Sequence, residues 1–224
     1  NNMILEDFEV YKNTISVDDI VDLINTILYG YPDIELISLS LPGVVYNGVV
    51  NFKKYGLNEC HLQAFLEEKY SQKIVINNDV NTIVMGYFAS QDDYESVSFL
   101  YQARIGGTGG VGHIHRGHLI KGRHNVAGEI QYLPISFSVE LSRNQKNSRR
   151  SSWMDNEVLF RDYFDGGTGC NHLFIIGWFL KVMNVKKRNR KNIMPKSYIP
   201  DLIKIESLKE YMLIGCILLG LKEM

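Results

Sequence analysis

The chain has 224 residues, of which 45% are hydrophobic, and it carries 24 Lys and Arg against 25 Asp and Glu. This length and hydrophobic content are sufficient for a packed core. The near-neutral charge lacks the basic excess that is typical of a nucleic-acid-binding domain. Cys60, Cys170 and Cys216 lie far apart and form no CxxC pair, which argues against a disulfide framework or a zinc knuckle and fits a reducing compartment.

No targeting or membrane segment is predicted. Residues 1–11 show no basic stretch followed by an apolar one, which a signal peptide would have. The most apolar segment, Met212–Leu221, is too short and too interrupted by glycine to cross a bilayer. We therefore expect a soluble, cytoplasmic protein without membrane contact.

The first half of the chain alternates between strand and helix patterns. Ser16, with Asp19 three residues later, is typical of a capping box, and Gly30 with Pro32 ends the helical repeat that follows. This alternation predicts an α/β layer architecture. In chain order the predicted elements are an edge strand at 3–11, a helix from Ser16 to Gly30, a strand at 34–41, a helix at 58–71, a strand at 73–76, a helix that follows Asp79 and a strand at 96–104.

The second half carries weaker signals. His113–His115 is typical of the return strand of a hairpin. Residues 142–152 and the basic run 186–191 are interpreted as solvated loops. A final helix with Ser207 as its candidate N-cap is predicted, and Gly215 and Gly220 would let that helix pack closely on a neighbour.

Asn78 and Asp79 lie between a short apolar strand and a helix. In open α/β sheets, ligands bind beyond the carboxyl ends of the strands. An aspartate at that place can orient and deprotonate a hydroxyl group. The alternative is a plain helix cap, because Asn and Asp are favoured N-cap residues. Taken alone, the pair favours the cap.

A glycine cluster comprises Gly106, Gly107, Gly109, Gly110 and Gly112. Glycines allow the backbone to approach a phosphate closely with its N–H groups directed inward. The cluster lacks the GxxxxGK[ST] pattern of a P-loop, and it does not open a helix as a dinucleotide-binding motif would. A hairpin turn is the simpler interpretation, although five glycines in seven residues exceed what a hairpin needs.

Glu129 lies in an apolar, turn-rich stretch, where its carboxylate could accept hydrogen bonds from vicinal hydroxyl groups. The alternative is a surface loop carboxylate. His113, His115 and His118 suggest a metal site, but no cysteine or acidic residue completes a ligand set nearby, so we expect no zinc. Ser/His/Asp catalysis is not expected either, because no GxSxG elbow occurs.

The order of four segments along the chain is more specific than any one of them: SLPGVV at 40–45, INNDVN at 76–81, GGTGGVGHIHRGHLIKG at 106–122 and HNVAGEI at 124–130. This series resembles the ROK family (repressors, open reading frames and sugar kinases) over residues 3–135. The closing segment 203–221 resembles the final helix of that family. The resemblance implies the actin-like ATPase (ribonuclease H-like) fold, in which two α/β domains surround a cleft that holds sugar and ATP.

The resemblance also implies domains and residue roles. Residues 1–78 with 208–224 would form the smaller N-terminal domain, and residues 79–207 the larger C-terminal domain. Asp79 matches the catalytic base that takes the proton from the sugar hydroxyl. The expected sugar-binding residues are Gly43, Asn78, Asp79, Glu129 and Tyr132. The expected phosphate loop for ATP comprises Gly106, Gly107, Thr108, Gly109, Gly110 and Gly112.

Three departures from the family pattern modify these expectations. The first phosphate motif, DxGGT, is absent before Met3, as though the chain began after the first hairpin, and the similar letters at 165–170 lie in the wrong place. Tyr132 replaces a histidine that binds sugar and zinc, and residues 142–152 replace the zinc loop CxCGxxGC, which indicates a zinc-free branch. About 90 residues follow Pro134, so we expect part of the C-terminal domain to be reduced or absent.

The resulting hypothesis is a kinase that uses ATP and Mg²⁺ to phosphorylate a hexose hydroxyl, with Asp79 as the base. The alternative is a non-catalytic sugar-binding regulator on the same fold. Because no DNA-binding segment precedes Met3, we expect no nucleic-acid partner. A homodimer is expected from the family resemblance alone.

Overall fold

The structure is a computed structural model that describes residues 15–53, 56–102, 109–130, 172–177, 201–205 and 208–223. Predictions made for residues 3–11, 142–152, 165–170 and 186–191 lie outside these ranges. The described helices are α1 (Val17–Gly30), α2 (Leu62–Lys69), α3 (Asp79–Ala89) and α4 (Lys209–Leu221). The described strands are β1 (Leu36–Leu41), β2 (Val44–Tyr46), β3 (Val49–Phe52), β4 (Leu57–Cys60), β5 (Lys73–Asn78), β6 (Ser96–Gln102), β7 (Gly109–His115), β8 (His118–Leu119), β9 (His172–Gly177) and β10 (Leu202–Ile205).

In the described part of the chain, the strands form three sheets. β1 pairs with β5 in parallel, and β2, β3 and β4 form an antiparallel sheet. The third sheet has the order β10-β9-β6-β7-β8, in which β9 is parallel to both of its neighbours and β7 is antiparallel to β6 and β8. Parallel strands with intervening helices confirm the α/β class.

Helix α1 begins as predicted. The Ser16 hydroxyl accepts a hydrogen bond from the Asp19 N–H at 3.1 Å, and the Ser16 N–H donates to the Asp19 carboxylate at 2.8 Å. This reciprocal pair is a capping box, and it satisfies two helix-end donors. Ile20, Val21 and Ile24 are buried on one face of the helix. The helix therefore begins through local hydrogen bonds and is held by its apolar face.

The region between β1 and α2 differs from the prediction. Residues 44–52 form a β-hairpin, in which Asn47 and Gly48 take positive φ angles of 49° and 73° at the two-residue turn. The helix predicted at 58–71 begins only at Leu62, because Leu57–Cys60 pairs with β3 as strand β4. The prediction for its first four residues was therefore wrong.

Helix α4 packs against both β1 and α3. A Cβ on Gly215 would collide with the backbone carbonyl of Thr82, and a Cβ on Gly220 would lie 2.8 Å from Leu36. Both glycines predicted to permit close packing are confirmed in that role. Leu208 is the N-cap residue and makes no side-chain cap hydrogen bond, whereas Ser207 lies outside the described residues.

Two hydrophobic clusters flank the start of α3. The first lies among α1, α2, β1 and β5 with the hairpin residues, and the second packs α3 against β6, β7, β10 and α4. Because α3 follows β5 without an intervening loop, its N-terminus lies between the two clusters. None of the helices in the described ranges is long and apolar enough to cross a membrane.

Candidate active site

Asn78 caps helix α3. Its Oδ1 accepts a hydrogen bond from the Asn81 N–H at 2.9 Å, and its carbonyl oxygen accepts one from the Thr82 hydroxyl at 2.8 Å. The helix-cap interpretation of this residue is therefore confirmed. The cap is more than local, however, because Asn78 Nδ2 donates to the carbonyl oxygen of Gly43 at 2.8 Å and to Asp79 Oδ1 at 3.2 Å. One side chain thus joins the turn after β1 to the first residue of α3.

Gly43 forms the turn that meets Asn78. Its φ of +90° lies in the left-handed region that favours glycine. A Cβ at this position would collide with the carbonyl oxygen of Asn51 and would lie 2.8 Å from Phe52 Cβ. The hairpin β2–β3 therefore packs onto the turn so closely that only glycine fits, and this packing directs the Gly43 carbonyl at Asn78.

Asp79 is largely buried, and its carboxylate lies at the N-terminus of α3. Its Oδ1 accepts a hydrogen bond from the Val80 N–H at 2.8 Å. Burial above all, with the negative charge of Glu129, raises the pKa of Asp79 to about 6, against backbone hydrogen bonds that lower it. At pH 7 the carboxylate is therefore mostly ionised, but it binds a proton far more readily than an exposed aspartate does.

Glu129 belongs to a turn that packs against β7, near Asp79. Gly128, before it, has a φ of +86°, and a Cβ there would collide with the carbonyl oxygen of Val111 in β7. The Val111 N–H donates to the Gly128 carbonyl at 2.8 Å, which fixes this turn against the sheet. The charge of Glu129 contributes to the raised pKa of Asp79, which indicates that the two carboxylates lie near each other.

The loop before Glu129 also contacts the β2–β3 hairpin. Asn125 Nδ2 donates to the carbonyl oxygen of Val45 at 2.8 Å, and the rings of His124 and Tyr46 meet edge to face with centroids 5.0 Å apart. His124 and Asn125 both have a φ of 57°. The sequence motifs do not predict these contacts; the preference of Asn for left-handed backbone is the one signal in the sequence that points to this turn.

The glycine cluster is resolved into two parts. Gly109, Gly110 and Gly112 lie in β7, whereas Gly106, Gly107 and Thr108 lie outside the described residues, as does Tyr132. β7 returns antiparallel to β6, so the return strand predicted at His113–His115 is confirmed, while Gly109, Gly110 and Gly112 lie in that strand and not in a turn. Cβ atoms on Gly110 and Gly112 would lie 3.0 Å and 2.7 Å from side chains of α3. These two glycines therefore let α3 lie close to the sheet.

The histidines of β7 make hydrogen bonds to serines across the strand pair. Nδ1 of His113 lies 2.6 Å from the Ser98 hydroxyl, and Nδ1 of His115 lies 2.6 Å from the Ser96 hydroxyl. Ser96 and Ser98 are fully buried. In the described ranges no three His, Cys, Asp or Glu side chains are grouped so that they could hold a metal ion.

Comparison with known proteins gives one family and one fold. A family model described as the ROK family matches residues 5–146. No curated protein matches the chain. A ROK family glucokinase from Streptomyces griseus, solved with glucose and AMPPNP, is 16% identical and superposes with a TM-score of 0.63 over 92% of this chain and 88% of its own.

Two further structures share this fold. An inorganic polyphosphate/ATP-glucomannokinase from an Arthrobacter species is 15% identical, with a TM-score of 0.61 over 99% of this chain and 90% of its own. A ROK family transcriptional regulator, described as a homologue of the E. coli MLC protein, is 14% identical. It superposes with a TM-score of 0.64 over 98% of this chain and 75% of its own. Kinases and a regulator therefore have the same fold, and the fold does not by itself choose between them.

Proposed function

Because the chain belongs to the ROK family, we propose that it is a carbohydrate kinase that transfers the γ-phosphoryl group of ATP to a sugar hydroxyl. Kinases of glucose and of related sugars are among the structures that share its fold. The observation that carries the proposal is the position of Asp79, a largely buried carboxylate at a helix N-terminus with Glu129 close enough to influence its pKa. Phosphoryl transfer needs positioning and a proton acceptor more than covalent chemistry.

Asp79 is proposed as the general base. Oδ1 of Asp79 accepts the hydrogen bonds from both the Val80 N–H and Asn78 Nδ2. We therefore assign Oδ2 to the sugar hydroxyl. As the hydroxyl oxygen bonds to the γ-phosphorus, the bond from that phosphorus to the β,γ-bridging oxygen breaks and ADP leaves. The hydroxyl proton passes to Asp79. The raised pKa makes this carboxylate a better proton acceptor near neutral pH.

The remaining sugar contacts are proposed for Glu129, Gly43, Asn78 and Tyr132. Glu129 can accept hydrogen bonds from vicinal hydroxyls, while the hydrogen bonds of Asn78 indicate that it also positions Asp79 against the Gly43 turn. We propose that the ATP phosphates lie at the β6–β7 turn. Gly110 and Gly112 face α3 and Gly109 packs against Ile130, so we assign the phosphate contacts to Gly106, Gly107 and Thr108.

Mg²⁺ is proposed to enter with ATP. When bound, it neutralises charge on the β- and γ-phosphates. Because Asp79 and Glu129 are assigned to the sugar hydroxyls, the ion would be held mainly by the phosphate oxygens and by its own waters. No zinc is required by the proposed chemistry.

The test is ADP release from Mg-ATP across a panel of hexoses, amino sugars and β-glucosides. In the Asp79→Asn variant, turnover should fall by about 10²–10⁴-fold while sugar affinity largely survives, because the amide keeps the shape but cannot take the proton. Asp92→Asn, the same substitution at an exposed position, is the control and should leave turnover unchanged. An equal loss of turnover and affinity in Asp79→Asn would count against the base assignment.

The second candidate function is a sugar-binding regulator, because a transcriptional regulator shares the fold. It predicts that a sugar raises the melting temperature without any ADP release. For the whole molecule we propose the two domains stated above, residues 1–78 with 208–224 and residues 79–207, a homodimer and a cytoplasmic location. The first hydrophobic cluster lies within residues 1–78, as this division expects, whereas the second also contains Leu208, Tyr211 and Met212 of the segment assigned to the smaller domain.

A further inference from the structure

A polar cavity of about 260 Å³ lies beside β5, and all six residues of that strand line it. It is close to the lower end of the range of about 300–1,000 Å³ that is usual for small-molecule pockets. Asn78 is shared between this cavity and the candidate active site. Gly43, Asp79 and Glu129 do not line it, so the cavity is a separate space beside the site of the proposed chemistry.

An amide without a protein partner lies in the cavity wall. Asn81 is only 8% exposed, and among the described residues its side-chain amide makes no hydrogen bond. Nδ2 of Asn77 also lacks a partner, but it is fully buried and is not open to a ligand in the cavity. The Asn81 amide is therefore available to a ligand or an ordered water that forms hydrogen bonds.

The backbone of β5 adds further polar groups. The Lys73 N–H donates to the Glu35 carbonyl beside β1 at 2.9 Å, which sets the parallel register of the two strands. In a parallel ladder alternate residues turn their N–H and C=O to opposite edges. Those of Ile74 and Ile76 therefore face away from β1, at the edge where the cavity lies.

The lining selects an uncharged ligand that is rich in hydroxyl groups. Its half-buried and buried polar side chains are carboxamides, namely Gln63, Asn77, Asn78, Asn81 and Asn125. A carboxamide donates and accepts, as a sugar hydroxyl does, and it carries no charge that is costly to bury. Asn78, Nδ2 of Asn125 and Nε2 of Gln63 already bond to the protein. The Asn81 amide is therefore the main group offered to a ligand, together with the side-chain oxygens of Gln63 and Asn125. The charged lining residues Lys73, Lys121 and Glu223 are all exposed.

We propose that this cavity is a second saccharide subsite, which binds an uncharged sugar unit other than the one that faces Asp79. That unit can be the far end of an oligosaccharide whose reacting end lies at Asp79, or a separate monosaccharide. The subsite rests on the sugar site proposed at Asp79 and on the chemistry of its own lining, and not on phosphoryl transfer. A failure to detect ADP release would leave it untouched.

The test is calorimetric titration of the full chain with glucose, mannose, cellobiose and mannobiose in the absence of ATP. Asn81→Leu removes the buried amide and keeps the backbone N–H that bonds to Asn78. Asn58→Leu, the same change at an exposed position outside the cavity, is the control. Gln63→Leu, at a half-buried lining position on α2, is the second variant in case Asn81→Leu does not fold.

Two results support the subsite and identify its source. A disaccharide that binds one to one, about tenfold or more tighter than its monosaccharide, shows that one molecule spans both sites. Two monosaccharides per chain show that separate molecules bind. Asn81→Leu or Gln63→Leu should abolish the tighter disaccharide binding in the first case and the second monosaccharide in the second case. Asn58→Leu should change neither. Equal one-to-one binding of mono- and disaccharide that is unchanged in the folded variants, or no binding by any of the four sugars, overturns the proposal and leaves only water in the cavity.

Discussion

Replacing Asp79 by asparagine should stabilise the protein at neutral pH even though it removes the proposed base. The amide Oδ1 of asparagine can accept the same hydrogen bonds from the Val80 N–H and Asn78 Nδ2 that the carboxylate accepts. What the substitution removes is a negative charge that is largely buried beside Glu129. The change therefore keeps the local geometry and eliminates the cost of an ionised group in that place.

The magnitude follows from the pKa of Asp79. Its ordinary value of 3.8 is raised to about 6 in the folded protein, and this difference corresponds to about 3 kcal/mol. Because the folded state holds the proton more tightly, the contribution of this group to stability is fully present below pH 3.8 and is lost as the pH rises through about 6. At pH 8 the asparagine variant should gain up to about 3 kcal/mol over the wild type, and near pH 3.5 the difference should vanish.

Urea unfolding followed by circular dichroism between pH 4 and pH 8 measures this difference. Asp92→Asn, at an exposed position, is the matched control and should change the free energy of unfolding by less than about 0.5 kcal/mol at any pH. If Asp79→Asn is less stable than the wild type at pH 8, or if its gain is the same at pH 4 and pH 8, then Asp79 is not an ionised group penalised by burial.

Three further outcomes are expected. The kcat/KM for sugar phosphorylation should rise about tenfold per pH unit below pH 6 and level off above it, because only ionised Asp79 accepts the proton; a flat pH profile between 5 and 8 would contradict this. Gly215→Ala should destabilise the chain in urea by about 1–3 kcal/mol or more, since its Cβ would collide with the Thr82 carbonyl, whereas Gly30→Ala, with open space around it, should be neutral or stabilising by up to about 1 kcal/mol. Ser16→Ala should cost about 1 kcal/mol in the same assay through loss of the helix cap, and an unchanged midpoint would refute the role of the capping box.

Local patterns predicted the helices and strands best where the stabilising groups lie within a few residues of each other. The capping box of Ser16 and Asp19 spans three residues, and the structure contains it as expected. The hairpin at 44–52 could have been found in the same way, because Asn47–Gly48 between apolar residues is a strong turn signal. The helix predicted at 58–71 was too long because the pairing of Leu57–Cys60 with β3 overrides local helix propensity.

The candidate site depends on contacts between distant parts of the chain. Motif order placed Asp79, Gly43 and Glu129 in one family pattern, but the hydrogen bond that joins Asn78 to Gly43 connects residues 35 positions apart. The role of Asn78 shows the difference: its residue type predicted a cap or a sugar ligand, while the structure adds the bridge between the turn and the proposed base.

The sequence by itself determined the family, the α/β class, the cap of α1 and the close approach of Gly215 and Gly220, because each follows from a residue type at a fixed spacing. Only the tertiary structure decided that Gly110 and Gly112 allow α3 to pack closely on the sheet, and that Asp79 is buried near Glu129 with a raised pKa. Burial and charge proximity depend on which distant residues surround a group, and no local spacing encodes that. The proton affinity of the proposed base is therefore a property of the fold.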